Sequence, residues 1–455
     1  MNDAVPTTYD LVICAALLPA ELSGGSARWR DRVAGAFESM ARSGGGRCAW
    51  VGRVDAPIDE PVRIGSAWLH PVPMSEIDIQ EYARGYCAST LSPVYHGVDH
   101  PVIRREWSEA YQRINARYAA KVDALASPGA TVWIHDHHLQ LLPEMLRRRR
   151  PDLRVGIQLH SLFPPVELFL RLPDRQALLS GLLSADRIGV PDQRSADNLR
   201  AAARHLFGTG VATIGVYAPG ADLAGVHHLA GDPLVRMRAA AIRAEIGGPA
   251  TVFLAIGRLD HNQGLLRRID AYSRLLTDRR VDPTDVVLLL ATTSAERTDR
   301  HEQLRQDVER RVAQVNGDHG RLGRPVVHYL HRDLDRPEIV ALYLAADVLV
   351  ATPLGEGSTL SAKEYLAARG DGTGRVVLSE FTGTAAELPE AILVNPYDIE
   401  SVVDALDKAA QEAATPSPDV DGMRKRLLGR RPWTTGFVED IRSTTAPVSG
   451  VPSLG

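Results

Sequence analysis

Apolar residues along this chain fall into two alternating patterns, and the alternation predicts an α/β protein built on parallel sheets. One pattern is a short continuous run bounded by polar or glycine-bearing turns, as a strand buried on both faces requires. Such runs occur at residues 9–15, 131–135, 154–160 and 213–217, and again at 253–257, 286–291, 326–330, 348–352, 376–379 and 391–394. The other pattern has helical spacing. It predicts helices over about 28–40, after a flexible loop at Ser23-Gly24-Gly25, and over 77–96 and 102–125, where Tyr111, Ile114 and Tyr118 share a face. Residues 139–149 read as a helix closed by Pro151, with the run Arg147 to Arg150 a solvated C-terminus favoured by the helix dipole. Helical stretches continue to about 206, and Gly264 opens a further helix through Leu265, Ile269 and Leu275. A connecting segment at 219–232 separates two strand–helix series, so the chain divides into doubly wound domains at 1–220 and 221–440. Residues 441–455 form a tail expected to be disordered, Ser, Thr, Pro and Gly being abundant there.

Composition narrows the class without choosing a reaction. A chain of 455 residues with 44% hydrophobic and 24% charged residues suits two ordinary globular domains. A formal net charge of -4 gives no reason to expect nucleic acid or an anionic membrane as a partner. Three cysteines, Cys14, Cys48 and Cys87, are an odd count without metal-ligand spacing, so a disulfide framework is not expected and a reducing cytoplasm is. The N-terminus lacks a signal peptide's basic start and apolar stretch, and no run approaches the ~18 apolar residues of a membrane span.

Two stretches carry candidate chemistry. In Thr352-Pro-Leu-Gly-Glu-Gly-Ser-Thr-Leu-Ser-Ala-Lys-Glu364 a buried strand ends in a glycine-bearing turn that runs straight into a helix. Free N–H groups and the positive end of the helix dipole converge there, which suits a phosphate, and Glu364 adds a carboxylate for a ribose diol. An ordinary β–loop–α connection would give the same pattern. In Phe253-Leu-Ala-Ile-Gly-Arg-Leu-Asp260, with Gln263 and Gly264 following, Arg258 leaves a strand's carboxyl end, where open α/β sheets place ligands. Its planar fork suits a diphosphate. Together the two stretches point to a nucleotide-diphosphate site. Lysine occurs only at Lys121, Lys363, Lys408 and Lys425, so Lys363 stands out beside that site as a second cation able to reach phosphates.

With Trp133-Ile-His-Asp-His-His-Leu-Gln-Leu-Leu-Pro143, Leu159-His-Ser-Leu-Phe-Pro-Pro-Val-Glu-Leu-Phe169 and Val377-Leu-Ser-Glu-Phe-Thr-Gly383, these stretches occur in the order found in the trehalose-6-phosphate synthase family of retaining glycosyltransferases. The chain resembles that family over roughly residues 9–440. The resemblance implies a GT-B architecture, two facing Rossmann-like doubly wound domains around a cleft, with nucleotide on the C-terminal domain and acceptor on the N-terminal one. It implies Arg258 on the diphosphate together with the N–H groups of Leu360 and Ser361, and Glu364 on the ribose. Glu356 stands where the family usually has an aspartate on sugar hydroxyls. Asp136, which would also serve as a helix N-cap, is implied at the acceptor or donor sugar, and His160 at the donor hexose. Gly24, Gly25, Gln263 and Lys363 complete the positions assigned to donor binding. Retention without a protein nucleophile implies front-face attack, the departing phosphate taking the acceptor proton. No metal and no cofactor is expected, the donor being a UDP- or GDP-sugar.

The departures from the family pattern bear on substrate. Gln263 replaces a lysine, Ala15-Ala16 replaces Asn-Arg, and Thr293-Ser294-Ala295 lacks the arginine of Thr-Ser-Arg; Ser92 and His137 replace a tryptophan and a tyrosine. The missing arginines are the family's clamp on the acceptor's 6-phosphate. The expectation is therefore a retaining hexosyltransferase acting on an unphosphorylated sugar or aminocyclitol. Three alternatives stand beside it. These are a trehalose-phosphate synthase whose phosphate pocket is rebuilt from Arg28, Arg30 or Arg297, a pseudo-glycosyltransferase forming a C–N link, and a non-catalytic nucleotide-binding subunit. Homo-oligomerisation is left open.

Overall fold

The computed structural model describes residues 5–18, 20–23, 26–29, 47–54, 60–97, 100–208, 214–293 and 299–444. The chain divides into two compact units, Met1–Gly220 with Arg431–Gly455, and Ala221–Arg430.

In the first unit the strands are Tyr9–Leu17 (β1), Ala20–Ser23 (β2), Ser26–Trp29 (β3), Cys48–Arg53 (β4), Val62–Ile64 (β5), Ala67–Pro71 (β6), Ala126–His135 (β7), Arg154–Gln158 (β8), Arg187–Val190 (β9) and Ile214–Val216 (β10). One sheet runs β10-β9-β8-β7-β1-β4-β6-β5, parallel except for the edge strand β5. Strand order reverses direction at β1 and β7, and a doubly wound sheet opens a crevice beyond the carboxyl ends of such a pair. Those ends are Ala15-Ala16 and His135-Asp136. Helix Arg105–Leu125 buries Tyr111, Ile114 and Tyr118 on one face, as its periodicity predicts.

The second unit has strands Thr251–Arg258 (β11), Val286–Thr293 (β12), Val327–His331 (β13), Val348–Ala351 (β14), Arg375–Ser379 (β15) and Ile392–Val394 (β16), all parallel in the order β13-β12-β11-β14-β15-β16. The reversal lies at β11 and β14. Their carboxyl ends carry Arg258 and the stretch from Thr352 to Glu364. Each expected strand has a counterpart here, and the α/β, GT-B-type pair of parallel-sheet units expected from the sequence is the fold.

Several expectations need correction. Residues 431–440 were assigned to the second domain, but helix Trp433–Ser443 packs on the first sheet. Two glycines make room for it: a Cβ on Gly156 would fall 2.3 Å from Ile441 Cδ1, and one on Gly189 2.9 Å from Phe437 Cε2. The expected tail at 441–455 therefore begins inside a helix, and 445–455 lie outside the described residues. The helix expected over 28–40 begins where β3 instead pairs with β2 in a hairpin; residues 30–46 lie outside the described residues, as do Gly24 and Gly25. The helix expected over 139–149 starts at Leu142, because Pro143 fits only the first turn, and a 3₁₀ turn at His137–Leu139 precedes it. The three cysteines are buried free thiols. Among the described residues no helix is long and apolar enough to cross a membrane.

Candidate active site

In the first unit, β7 ends at His135 and the next residue takes a conformation almost confined to glycine. Asp136 has φ 64° and ψ 176°. A non-glycine residue there costs about 1–3 kcal/mol and persists only where its surroundings enforce it. The enforcement is visible. Asp136 Oδ1 accepts from the N–H groups of His137 at 2.9 Å, His160 at 3.2 Å and Ser161 at 3.4 Å, and lies 3.1 Å from His137 Nδ1. The carboxylate thus gathers the ends of β7 and β8 around itself. Burial alone would push its carboxyl up, but the charges of His137, His160 and His138 and the His137 side-chain hydrogen bond outweigh it and hold the group well below the usual carboxylate range.

The turn beyond Asp136 is tied down from behind. Tyr111 donates to the His137 carbonyl at 2.8 Å, Gln140 Nε2 to the same oxygen at 3.1 Å, and Tyr82 to the His138 carbonyl at 3.2 Å. Tyr95 in turn donates to Gln140 Oε1 at 2.8 Å. His137 is buried against the Tyr95 ring at 5.0 Å, so the histidine that replaces a family tyrosine serves the Asp136 turn. Asp136, His137 and His138 bring potential metal-ligand atoms within 4.8 Å of one another. The hydrogen bonds already made by Asp136 Oδ1 and His137 Nδ1 account for that closeness.

His160 stands beside Asp136 as expected. Its ring stacks parallel to His135, with Nε2 2.8 Å from His135 Nδ1, and lies edge-on to Trp433 at 5.7 Å. Burial, followed by the neighbouring His160, brings His135 well below the ordinary histidine range. Ala15 and Ala16 occupy the end of β1 next to Asp136, their carbonyls accepting from Tyr118 at 3.0 and 3.2 Å. Neither position offers a side-chain charge. Ser294, Ala295 and Arg297 lie outside the described residues, and so does Arg30; the Arg28 side chain is likewise not described.

In the second unit, Arg258 is exposed at the end of β11. Across the reversal, the turn after β14 brings Glu356 to the same end of the sheet. Two hydrogen bonds lock the two loops: Leu354 N–H donates to the Asn262 carbonyl at 2.7 Å, and Arg268 Nε to Thr352 Oγ1 at 3.2 Å. Gly264 sits between them at φ 65°, where a Cβ would fall 2.7 Å from the Thr352 carbonyl. Glu356 is held through both oxygens, Oε1 accepting from Gln263 Nε2 at 3.0 Å and Oε2 from Thr359 Oγ1 at 2.8 Å. Burial raises its carboxyl above the usual range despite these bonds and the positive charges of Arg258 and Arg268. Arg268 is itself buried, which brings its guanidinium down to about 10 against the pull of Glu356.

Helix Leu360–Ala368 begins at Thr359, whose hydroxyl goes to Glu356 instead of capping the first turn. The early N–H groups, Leu360 and Ser361 among them, therefore have no side-chain cap, which suits an oxyanion. Glu364 is buried, with Oε2 accepting from Tyr343 at 2.8 Å. Lys363 is a correction. Its ammonium is buried 2.5 Å from Glu387 Oε1, and Arg430 pairs with the same carboxylate. A charge removed from water needs such a partner, so Lys363 staples the helix to the following loop instead of reaching phosphates. Gln263 turns its amide nitrogen to a side chain, Glu356.

Sequence reasoning missed Arg268, Thr359 and His135. A signal existed for Arg268, three residues after Leu265 and four before Tyr272 within the helix's apolar stripe. An arginine in such a stripe must have a buried partner. His135 acts through His160, a partner distant in sequence, and no local pattern marks it; Thr359 reaches Glu356 only three residues before it, a pairing within reach of local reading.

The model of glycosyltransferase family 20 matches residues 53–428. A trehalose-6-phosphate synthase from Mycolicibacterium smegmatis is 38% identical over 479 aligned residues, covering 97% of this chain and 94% of that protein. One from Mycobacterium bovis is 41% identical, covering 95% and 94%. Among solved structures, the trehalose-6-phosphate protein from E. coli bound with UDP-2-fluoro glucose superposes with a TM-score of 0.84 at 26% identity, over 95% of this chain and 99% of that one. Matches of this length take in both strand-end sites, and the chain belongs to glycosyltransferase family 20, as a nucleotide-sugar-dependent hexosyltransferase.

Proposed function

We propose that this enzyme moves a glucosyl group from a nucleoside-diphosphate glucose to glucose 6-phosphate, giving trehalose 6-phosphate with retained anomeric configuration. The observation that carries this reading is the identity of 38% to curated trehalose-6-phosphate synthases over nearly the whole of both chains. The expected preference for an unphosphorylated acceptor gives way to it. A UDP-sugar is the first donor to test, because the E. coli relative was solved with UDP-2-fluoro glucose.

In this reading the bond from the anomeric carbon to the diphosphate oxygen breaks while a bond to the acceptor hydroxyl oxygen forms on the same face. The departing phosphate oxygen takes the hydroxyl proton. Arg258 and the uncapped N–H groups at Leu360 and Ser361 take up the charge growing on the diphosphate. Glu356 meets hexose hydroxyls, Glu364 the ribose, and Asp136 a hydroxyl of the sugar bound at the first unit. No cofactor or metal enters the scheme. With Ala15-Ala16 uncharged, the acceptor phosphate needs another cation. Arg53 is our candidate: it ends β4, is 9% exposed, and pairs in register with Leu17 one residue beyond Ala16. Arg53→Ala should raise KM for glucose 6-phosphate at least tenfold with little change in donor KM, an estimate of roughly 1.5–3 kcal/mol for a charged hydrogen bond.

The second reading keeps the transfer but takes an unphosphorylated sugar or cyclitol acceptor, and the uncharged Ala15-Ala16 end of β1 favours it. Nucleoside diphosphate release, measured with glucose 6-phosphate and with glucose, separates the two.

A further inference from the structure

We propose that Gln263 positions Glu356 for the donor's hexose and is not a ligand of the diphosphate. The proposal rests on the reading that Glu356 meets hexose hydroxyls. Two departures from the family pattern, glutamine for lysine at 263 and glutamate for aspartate at 356, touch each other: Gln263 Nε2 lies 3.0 Å from Glu356 Oε1. The main-chain groups of Gln263 and its amide nitrogen are all engaged near this contact. Its N–H donates to the Asp260 carbonyl at 3.1 Å, its own carbonyl accepts from Arg268 Nη2 at 3.0 Å, and its Oε1 rests over Gly257, where a Cβ would lie at 2.9 Å. The residue is 8% exposed. Turning this amide toward a phosphate would release Glu356 and uncover Gly257, in exchange for a hydrogen bond from an uncharged donor, weaker than the ion pair a lysine ammonium makes.

The geometry gives the pair a purpose. A lysine ammonium at 263 would pair with Glu356 and neutralise it. An amide leaves the charge intact and fixes one oxygen, while Thr359 fixes the other at 2.8 Å. Glutamate carries its carboxylate one methylene further than aspartate, and the amide ends where that longer arm needs an anchor. The lone pairs left over on a carboxylate held at both oxygens point in set directions, which is how a site distinguishes epimeric hydroxyls. Gln263 thus sets which hexose is accepted, through a residue it touches.

Calorimetric titration of the full-length protein tests this with UDP and GDP, and with the UDP and GDP derivatives of glucose, galactose and mannose. Gln263→Met keeps the bulk over Gly257 without the amide, and Gln263→Ala serves as a second variant. The expected result is affinity for the bare diphosphates within about twofold of the parent, with affinity for the preferred nucleotide sugar reduced about tenfold or more and epimer preference narrowed. Gln263→Lys and Glu356→Asp, each harmful alone, should partly restore sugar affinity when combined. Equal weakening of bare diphosphate and nucleotide sugar by Gln263→Met would make Gln263 a phosphate ligand and overturn the proposal. Glu356→Ala separates the underlying reading: if it leaves nucleotide-sugar affinity unchanged, Glu356 does not meet the hexose, whatever Gln263 does.

Discussion

Asp136 and Glu356 occupy matching places in the two units, each just beyond a strand end where strand order reverses, yet they are held by opposite means. Asp136 is gripped by three main-chain N–H groups and pays with a strained backbone. Glu356 is gripped by two side chains, and its main chain is joined to the neighbouring loop by a hydrogen bond from Gly383 N–H at 3.1 Å. The consequence is electrostatic. Three histidines outweigh burial at Asp136 and hold its carboxyl well below the usual carboxylate range, whereas burial dominates at Glu356 and makes its ionised form costly. A carboxylate fixed by main chain is a rigid feature of the fold; one fixed by side chains can change with its anchors. The departures at 263 and 356 fall on the second kind.

The largest expected effect comes from undoing the first arrangement. Asp136→Ala leaves three N–H groups without their acceptor, and should cost about 1–3 kcal/mol of stability. Misplacing the sugar-binding turn should lower kcat/KM about 100-fold. Denaturant unfolding and initial rates check the two effects separately. Arg258→Ala comes next: loss of a charged contact to the diphosphate should weaken nucleotide binding roughly 10- to 150-fold. Its exposure means that the unfolding midpoint should hardly move.

Glu356→Gln sharpens the contrast most, because activity and stability should move in opposite directions. Activity should drop about tenfold as hexose contacts lose their charge, while thermal stability should rise. The sign follows from linkage. A carboxyl whose folded pKa is raised binds its proton more tightly when folded, so its stabilising contribution is full below the unfolded value of about 4.3 and is lost as pH rises through the folded value. The advantage of Glu356→Gln over the parent should therefore grow from pH 4 upward. Asp136 has the opposite sign: its contribution is full above about 3.9 and is lost as pH falls through its depressed folded value. Asp136→Asn should thus be the less stable protein at neutral pH, and converge on the parent in acid. The smallest catalytic effect is expected for Trp433→Ala, which removes an aromatic wall from His160 and Trp133. It should cost about 2 kcal/mol in stability and only a few-fold in rate.

Both strand-end loops were legible in the sequence, because an apolar run ending in a glycine turn or a polar residue is a local signal, and the order of such runs carries the fold. Arg258, Glu356, Asp136 and His160 lie at those ends. What escaped depends on partners far along the chain. Lys363 reads locally as a phosphate cation, and only Glu387 and Arg430, folded against it, make it a buried staple. Helix Trp433–Ser443 follows the second series of strands, so adjacency assigns it there; Gly156 and Gly189, far earlier in the chain, decide its true place. The missing arginine at Ala15-Ala16 was plain to read, but a vacancy in sequence does not say which neighbour supplies the charge.

Transfer to glucose 6-phosphate is checked by nucleoside diphosphate release with product identification. The protein is incubated with UDP-glucose or GDP-glucose and either glucose 6-phosphate or glucose. Trehalose 6-phosphate of α,α configuration is expected, formed only when glucose 6-phosphate is present. Turnover with glucose at a higher kcat/KM than with glucose 6-phosphate, or no turnover with either despite tight nucleotide binding, would contradict this expectation.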